Sequence, residues 1–140
     1  MTKIALVTGG TRGIGASISI ALKNAGYNVA ATYNSNTEKA NAFASENGIE
    51  VFQWNVADAA ACEAGVKQVQ DKMGSVDILI NNLGIYERKP FFEIEDSDWT
   101  RFFEVNVMSG VRFARFYTPK MIDKKWQINP HAKNMDFRVF

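Results

Sequence analysis

The residues best suited to chemistry form a glycine-rich turn near the start of the chain, at residues 8–15. The turn follows an apolar run of strand length and precedes apolar residues at helical spacing. Gly9 permits a tight exit from the strand, Gly13 lets the backbone approach a pyrophosphate, and Gly15 lets the helix pack closely on the sheet. Because the free N–H groups of a helix N-terminus attract anions, we predict a phosphate-binding turn here.

Two alternatives to a dinucleotide-binding turn arise from the same glycines. Residues 10–15 have the glycine spacing of a P-loop, but Ala16 stands where the phosphate-binding lysine belongs, which disfavours nucleotide hydrolysis. The second alternative is a glycine-rich turn that binds no ligand, since glycine spacing alone is a weak signal. The position of the turn between a strand and a helix favours the dinucleotide site.

Apolar runs and helical patterns alternate along residues 1–80, which indicates βαβ units and a parallel sheet. Strand-length runs occur at residues 3–8, 29–33, 50–54 and 76–80, and helical segments at residues 14–25, 37–47 and 62–73. One apolar stripe of the third helix includes Cys62, which is therefore expected in the core. The pattern predicts an α/β fold with a Rossmann-like, doubly wound parallel sheet. Its second half is incomplete, which leaves the fourth strand near an exposed edge.

After the fourth strand the chain changes character. Residues 83–96 suit a loop, and we expect the apolar Phe91 and Phe92 to pin this loop to the body of the protein. A long helix should begin near Ser97 or Asp98, because either residue can cap its N-terminus. Its apolar face is predicted to comprise Trp99, Phe102, Phe103, Val107, Val111 and Ala114.

The last part of the chain carries little periodic signal. Pro119 allows a kink or a stop in the long helix. Hydrophobic periodicity is lost over residues 126–136, and only residues 137–140 hint at the start of another strand. We therefore divide the chain into a dinucleotide-binding, Rossmann-like domain at residues 1–126 and an atypical C-terminal tail at residues 127–140.

Three short motifs occur in order along the chain. They are Thr8-Gly9-Gly10-Thr11-Arg12-Gly13-Ile14-Gly15, Asn81-Asn82-Leu83-Gly84 and Val105-Asn106-Val107. With these motifs, residues 2–126 resemble the short-chain dehydrogenase/reductase family, with Leu83 in place of the usual alanine. Residues 1–80 look most like the acetoacetyl-CoA and 3-oxoacyl-carrier-protein reductases of that family, and residues 83–126 look more like a different branch of it.

The resemblance implies an oxidoreductase of ketone or alcohol substrates that uses a nicotinamide dinucleotide. An NAD site normally places an Asp or Glu at the end of the second strand to bind the ribose hydroxyls. Residues 32–36 contain no carboxylate. Lys39 follows them closely in the sequence, and Arg12 lies in the glycine-rich turn. A 2′-phosphate would meet donors and positive charge there, so NADP(H) is favoured over NAD(H). The alternative is that both cations are ordinary solvated surface residues.

The same resemblance implies roles for individual residues. Asn55 and Val56 would flank the adenine, and Asn82 would support the nicotinamide side. Asn106 corresponds to a family asparagine that helps hold a water in a proton relay, and it is the one catalytic candidate. The alternative for Asn106 is a buried amide that neighbouring backbone satisfies. The implied cofactor-binding residues are Gly9, Arg12, Gly13, Ile14, Gly15, Ser35, Lys39, Asn55, Val56, Asn82 and Gly84.

The tyrosine and lysine that the family uses for proton transfer do not occur in the sequence. A tyrosine, with an ordinary pKa near 10, needs a nearby cation to stabilise its phenolate at neutral pH, and the family places a lysine four residues later. Here Tyr27, Tyr33, Tyr86 and Tyr117 are followed at that spacing by Ala31, Thr37, Pro90 and Met121. His131 has no second ligand at motif spacing, so no metal site is predicted.

Composition disfavours several other classes of function. Sixteen Lys and Arg against fifteen Asp and Glu give a net charge of +1, which argues against a nucleic-acid partner. No apolar run approaches the roughly 20 residues that cross a bilayer. Cys62 is the only cysteine and no secretory signal is recognisable, so we expect a cytoplasmic protein. A homo-oligomer through Ser97 to Thr118 is expected to cover the apolar face of the long helix.

Three functional hypotheses follow from the sequence. The first is a short-chain dehydrogenase/reductase-like, NADP(H)-dependent oxidoreductase, present here as its cofactor-binding part, and the ordered motifs support it. The second is a non-catalytic dinucleotide-binding module or truncated product that acts only by binding or self-association. The family also uses a serine to orient the substrate carbonyl, and the absence of this serine and of the Tyr-x-x-x-Lys pair supports the second hypothesis. The third is an interaction protein whose glycine turn is vestigial, and cofactor binding without turnover would separate the second hypothesis from the other two.

Overall fold

Short runs rich in Val, Ile, Leu and Ala form a parallel four-stranded sheet in the computed structural model, which describes residues 2–124. The strands are β1 (Ile4–Val7), β2 (Asn28–Tyr33), β3 (Glu50–Gln53) and β4 (Ile78–Ile80), in the order β3-β2-β1-β4. The register places Ile4 opposite Asn28 and Ala5 opposite Ile78. All four predicted strands are confirmed, with ends shifted by one or two residues. Among the described residues β4 pairs only with β1, so its predicted edge position is also confirmed.

Helices follow each of the first three strands, as predicted. They are α1 (Gly13–Asn24), α2 (Thr37–Asn47) and α3 (Ala59–Met73). After β4, a short 3₁₀ turn (Phe91–Glu93) precedes α4 (Asp96–Phe103), a π-helical turn (Glu104–Met108) and α5 (Ser109–Asp123). The alternation of strand and helix confirms the α/β, Rossmann-like architecture.

Helices cover both faces of the sheet, because side chains along each strand alternate between the faces. On one face Val7 and Ala31 pack with α1 and with Phe43 of α2. On the other face Leu6 packs in a cluster with α3 and with Phe113 of α5. The sheet therefore separates two apolar cores, as a doubly wound fold requires.

Helix α3 approaches the sheet closely in the second core. Cys62 and Val69 are fully buried on the predicted apolar stripe, and burial raises the pKa of the Cys62 thiol. A Cβ atom at Gly65 would overlap the ring of Trp54, so glycine is needed there for packing. The Trp54 ring in turn lies 6.1 Å, centroid to centroid, from the ring of Phe113. This chain of contacts joins β3, α3 and α5.

The loop after β4 differs from the sequence-based expectation. Phe91 and Phe92 do not pin the loop to the body: Phe92 is 97% exposed, and the two rings contact each other edge to face. An ion pair between Lys89 and Asp98, at 2.8 Å, holds the loop instead. Helix α4 begins at Asp96, close to the predicted start, but its N-cap is Glu95 and not Ser97 or Asp98. The Asp98 carboxylate instead accepts a hydrogen bond from the Glu95 N–H within the first turn.

The long helix also differs from its predicted form. Trp99 and Phe103 are 63% and 54% exposed, while Val105, Phe113 and Tyr117 face the core. The π-helical turn shifts the register of the residues that follow it, which include Phe113 and Tyr117, whereas Trp99 and Phe103 lie before it on the exposed side of α4. Helix α5 continues through Pro119 to Asp123, so a stop at this proline is wrong.

Several predictions fall outside the part of the chain that the structure describes. The domain boundary at residue 126, the tail at residues 127–140, His131 and the suggested strand start at residues 137–140 all lie there. Within residues 2–124, no helix combines the length and the apolar character that spanning a bilayer needs.

A partly buried carboxylate, Asp77, joins three elements at the end of the sheet opposite the glycine turn. The Asp77 side chain is 15% exposed, and it accepts hydrogen bonds from the Ile4 N–H at 2.9 Å and the Lys124 ammonium at 2.6 Å. Burial acts to raise the pKa of Asp77, but the hydrogen bonds from Lys124 and Ile4 outweigh it, so the pKa lies below its usual value. The contact holds the end of α5 against β1 and β4.

We predict that Asp77→Asn lowers the free energy of unfolding by about 1 kcal/mol at pH 7, because the amide keeps the Ile4 contact but loses the charge pair. A carboxylate with a depressed pKa stabilises the fold fully above about pH 5, and this stabilisation is lost as the pH falls through that pKa. The difference in unfolding free energy between the variant and the unmodified protein should therefore shrink below about pH 4, as measured by urea denaturation. Asp71→Asn, an exposed site on α3, is the matched control, and an equal loss there would contradict the prediction.

Candidate functional site

The glycine turn lies at the carboxyl end of β1, where it is tied to the neighbouring strand. The Gly9 N–H donates to Thr32 Oγ1 at 3.1 Å, and the Gly10 N–H donates to the Thr32 carbonyl at 3.1 Å. Gly9 has a φ of +63°, a conformation that glycine adopts without strain, which confirms its predicted role in the tight exit from β1. The end of β2 thereby fixes the start of the turn.

Two other glycines are required by close packing within the turn. A Cβ atom at Gly15 would overlap the Gly9 carbonyl oxygen and lie 2.6 Å from Asn82 Nδ2. The close approach of α1 at Gly15 is thus made to the turn and to Asn82, not to the flat of the sheet as expected. A Cβ atom at Gly10 would lie 2.8 Å from Ala31 Cβ and from Ser19 Oγ. Sequence reasoning assigned no role to Gly10, since only the fold brings these atoms together.

A strap of hydrogen bonds joins the glycine turn to the end of β4. Thr8 Oγ1 accepts from the N–H groups of Asn82 and Leu83, at 3.0 and 3.1 Å, and donates to the Ile80 carbonyl at 3.3 Å. The Asn82 side chain donates to the Thr8 carbonyl at 3.0 Å and to that of Gly9 at 3.4 Å. Asn82 therefore lies against the turn and fixes its shape, and the role of Thr8 was not anticipated.

The N-terminus of α1 leaves backbone donors free beside the turn. The first three N–H groups of a helix have no intrahelical partner, and no acidic side chain occupies the first turn of α1. Gly13 has a φ of +54°, with nothing within 4 Å of an added Cβ, and Ile14 is exposed. An anion can reach these N–H groups without displacing a side chain, and the helix dipole favours it.

A cleft of about 320 Å³ opens along the carboxyl ends of the strands, beside this turn. Of the predicted cofactor-binding residues, Gly9, Arg12, Ser35, Lys39, Asn55, Val56 and Gly84 line it. Gly13, Ile14, Gly15 and Asn82 are not among the lining residues, because they form or support the turn at its side. The residues that sequence reasoning missed are Thr11, Thr32, Tyr33, Asn34, Asn36, Ala40, Leu83, Ile85 and Val105.

The corner between β2 and α2 gives the cleft its charge. Arg12 and Lys39 line the cleft, no residue that lines it carries a carboxylate, and neither cation forms an ion pair within residues 2–124. Asn36, with a φ of +64°, caps α2 by accepting the Lys39 N–H at 3.1 Å. This cap fixes the backbone of Ser35 and Lys39 at the rim. The corner can therefore hold a second anionic group, separate from the one at α1.

The two ends of the cleft are formed by apolar side chains and by residues in turns. At one end Val56 is buried, and Asn55 Oδ1 accepts from the Ala57 N–H at 3.0 Å, which orders the turn after β3. At the other end Ile85 and Val105 line the cleft together with Gly84. A flat apolar ring fits against either wall, and the polar turn atoms can bind ring edges.

Asn106 holds the second wall through its side-chain amide. Asn106 Oδ1 accepts from the Ile85 N–H at 2.7 Å, and Asn106 Nδ2 donates to the Ile85 carbonyl at 3.0 Å. This is the backbone-satisfied amide that was the alternative to a catalytic role, although the residue is exposed and not buried as that alternative assumed. Asn106 lies in the π-helical turn, a kind of helix irregularity that is frequent at functional sites.

No acid/base tyrosine is assembled in the described part of the chain. Tyr117 is buried in α5 with no hydrogen-bond partner for its hydroxyl, and burial raises its pKa. That shift is opposite to the one a phenolate base needs. Within residues 2–124 no three His, Cys, Asp or Glu side chains gather where they could hold a metal ion.

Comparison with known proteins finds relatives in one family. The family model described as short chain dehydrogenase matches residues 3–127. An acetoacetyl-CoA reductase of Paracoccus denitrificans is 44% identical over 126 residues, which cover 90% of this chain and 52% of that protein. A 3-oxoacyl-acyl-carrier-protein reductase of Staphylococcus aureus is 38% identical over 130 residues, covering 89% of this chain and 53% of that one.

A solved structure agrees with these sequence relatives. The blue fluorescent protein from a metagenomic library, crystallised in complex with NADPH, is 34% identical and superposes with a TM-score of 0.80. The match covers 85% of this chain and 51% of that one. The chain thus spans about half the length of the curated relatives it matches.

We predict that Gly15→Ala lowers the free energy of unfolding by about 3 kcal/mol or more, because its Cβ would be forced into the backbone of the turn. Gly13→Ala is the matched control two residues away. It has open space for the methyl group and should cost only about 1–2 kcal/mol, the penalty of its left-handed conformation. Chemical denaturation of both variants measures the difference, and equal losses would contradict the packing role of Gly15.

Proposed function

The chain belongs to the short-chain dehydrogenase family of oxidoreductases, and we propose that it binds NADP(H) as the cofactor-binding part of an enzyme for ketone or alcohol substrates. The observation that carries the proposal is the charge of the cleft. Arg12 and Lys39 line it without ion-pair partners in residues 2–124, and no carboxylate lines it. The phosphates of a phosphorylated dinucleotide would form charge-assisted contacts with these two cations.

The preference for NADP(H) rests on the β2–α2 corner. An adenosine ribose at this corner would place its 2′-phosphate among Ser35, Lys39 and Arg12. A carboxylate that would bind two ribose hydroxyls of NAD(H), and repel a phosphate, is absent from the lining. The NADPH held by the metagenomic protein described above supports the same choice.

The rest of the cleft fits the remaining parts of a dinucleotide. The free N–H groups at the start of α1 would bind the pyrophosphate, with Gly13 leaving room for its approach. Asn55 and Val56 would flank the adenine. Gly84 and Ile85 would form the wall beside the nicotinamide, and Asn82 would hold that wall to the turn through Thr8.

A bound nicotinamide ring supplies or accepts a hydride at a substrate carbonyl or alcohol carbon. The residues of this chain bind and orient the dinucleotide and keep solvent from one side of it. Proton transfer to the developing alkoxide needs a donor within hydrogen-bond reach, and no Tyr-x-x-x-Lys occurs in the 140 residues. We therefore expect cofactor binding by this chain and no turnover unless a serine, tyrosine and lysine are supplied by further protein.

A second candidate function is a dinucleotide-binding module without catalysis. The burial and raised pKa of Tyr117, together with the backbone-paired Asn106, favour it for this chain on its own. Both candidates require the same cofactor cleft. They differ in whether another polypeptide completes the reaction centre, which activity assays with and without such a partner would distinguish.

Self-association and location are parts of the same proposal. Trp99 and Phe103 expose apolar rings on α4, and a homodimer through Ser97 to Thr118 would cover them. The free, buried Cys62 is compatible with a reducing compartment, and we propose a cytoplasmic location. The small net charge leaves no reason to propose a nucleic-acid partner.

We predict that Arg12→Met combined with Lys39→Met weakens NADPH binding by on the order of tenfold, because two charge-assisted contacts to the 2′-phosphate are lost. NADH binding should change by less than about twofold, since NADH lacks that phosphate. Fluorescence titration of the reduced cofactors measures both affinities. Lys67→Met, which removes an exposed cation on α3, is the control and should leave both unchanged.

Two results of this titration would contradict the proposal. Equal weakening of NADPH and NADH would show that the two cations do not select the 2′-phosphate. If the unmodified protein bound neither cofactor, the proposed function would be wrong, and the chain would share only its fold with the family.

A further inference from the structure

The π-helical turn at residues 104–108 supplies one wall of the cleft, yet a π-turn is an uncommon and less stable form of helix. It places Val105 in the lining of the cleft and Asn106 against the backbone of Ile85. In a regular α-helix, each residue advances by about 100° around the axis, which is more than in a π-turn. If residues 104–108 adopted a regular α-helix, Asn106 would therefore rotate away from Ile85. Something in the chain must therefore favour the π-turn over the α-helix.

A buried hydroxyl satisfies the backbone of this turn. Ser109 is 6% exposed, and its Oγ donates to the Val105 carbonyl at 2.6 Å. In a π-turn the backbone partner of each carbonyl is displaced by one residue relative to the α-helix. The hydroxyl gives the Val105 carbonyl a second donor where the regular hydrogen-bond ladder changes spacing.

An ion pair spans the same turn from one side to the other. Arg112 Nη2 donates to Glu104 Oε2 at 2.6 Å, and the two side chains are only 14% and 32% exposed. In a regular α-helix, residues eight apart point about 80° away from each other. The π-turn contains more residues per turn and reduces this angle, which brings Glu104 and Arg112 toward one face. The pair therefore favours the π-turn over the regular helix.

We propose that Ser109 and the Glu104–Arg112 ion pair are positioning residues that hold the π-turn and thereby fix the wall of the cleft at Gly84 and Ile85. This inference rests on the proposed function, because it assigns that wall to the nicotinamide end of NADP(H). The three residues act through Asn106, whose side-chain amide is hydrogen-bonded to the Ile85 backbone. None of them lines the cleft itself.

Two variants test the proposal, Ser109→Ala and Arg112→Met. Amide hydrogen exchange at Ile85, whose N–H is bonded to Asn106, should quicken by about tenfold or more when the π-turn relaxes. NADPH binding should weaken by about threefold to tenfold. Binding of adenosine 2′,5′-bisphosphate, which reaches only the adenosine end, should change by less than about twofold.

The controls separate positioning from a general loss of stability. Ser45→Ala removes a hydroxyl bonded to the Asn41 carbonyl within the regular helix α2, and Lys72→Met removes the cation of the exposed Lys72–Glu50 pair. Neither control should alter exchange at Ile85 or the ratio of the two affinities. Ser109→Thr and Arg112→Lys, which keep the hydroxyl and the charge, should retain most of the Ile85 protection even if the first two variants fold poorly.

The outcomes are distinguishable from failure of the proposed function. Unchanged exchange at Ile85, or an equal rise across all amides of α4 and α5, would overturn the positioning role. Equal loss of affinity for NADPH and for adenosine 2′,5′-bisphosphate would overturn it as well. If the unmodified protein binds neither ligand, the proposed function fails, while the exchange at Ile85 still decides whether Ser109 and the ion pair hold the π-turn.

Discussion

The approach of the first turn of α1 to the glycine turn is the constraint on which the site depends. No side chain fits at Gly15, because the Gly9 carbonyl and the Asn82 amide occupy the space. The same Asn82 amide donates to the Thr8 and Gly9 carbonyls, and Thr8 Oγ1 accepts two N–H groups at the end of β4. One small residue and one threonine–asparagine strap therefore set the helix, the turn and the loop after β4 in a single arrangement. The free N–H groups of α1 and the apolar wall at Ile85 keep their relative positions for this reason.

The cleft has local positive charge because Arg12 and Lys39 line it and no carboxylate does. The chain has a net charge of only +1, and several of its cations are paired: Lys72 with Glu50, Arg112 with Glu104 and Lys124 with Asp77. Arg12 and Lys39 form no such pair within the described chain and lie at the same cleft. A nearly neutral protein thus has local positive charge at this cleft. Together with the start of α1, this cleft suits a ligand with separated anionic groups.

Local patterns predicted most of the fold because each depends on neighbours in sequence. The buried runs of the strands, the glycine after β1 and the apolar stripe at Cys62 are features of this kind, and the structure confirms them. The errors concern contacts and helix geometry that hydrophobicity alone does not encode. Phe91 and Phe92 were assigned an anchoring role from hydrophobicity alone, but the Lys89–Asp98 pair holds the loop. For the residues after Met108, the buried face of the long helix was misjudged because a π-turn leaves no recognised periodic signal in the sequence. For the site, seven of the predicted residues line the cleft, whereas Gly10, Thr8 and Val105 required the fold to bring their partners together.

The central claim is that one cleft binds both phosphate-bearing regions of NADP(H), at α1 and at the β2–α2 corner. Amide chemical-shift mapping during a titration with NADPH tests it most directly, because the two regions are reported by different backbone groups. We expect saturable shifts with one common dissociation constant at Gly13, Ile14 and Gly15 and at Ser35 and Lys39. Shifts confined to one of the two regions, shifts that saturate at different concentrations, or shifts elsewhere on the surface would contradict it.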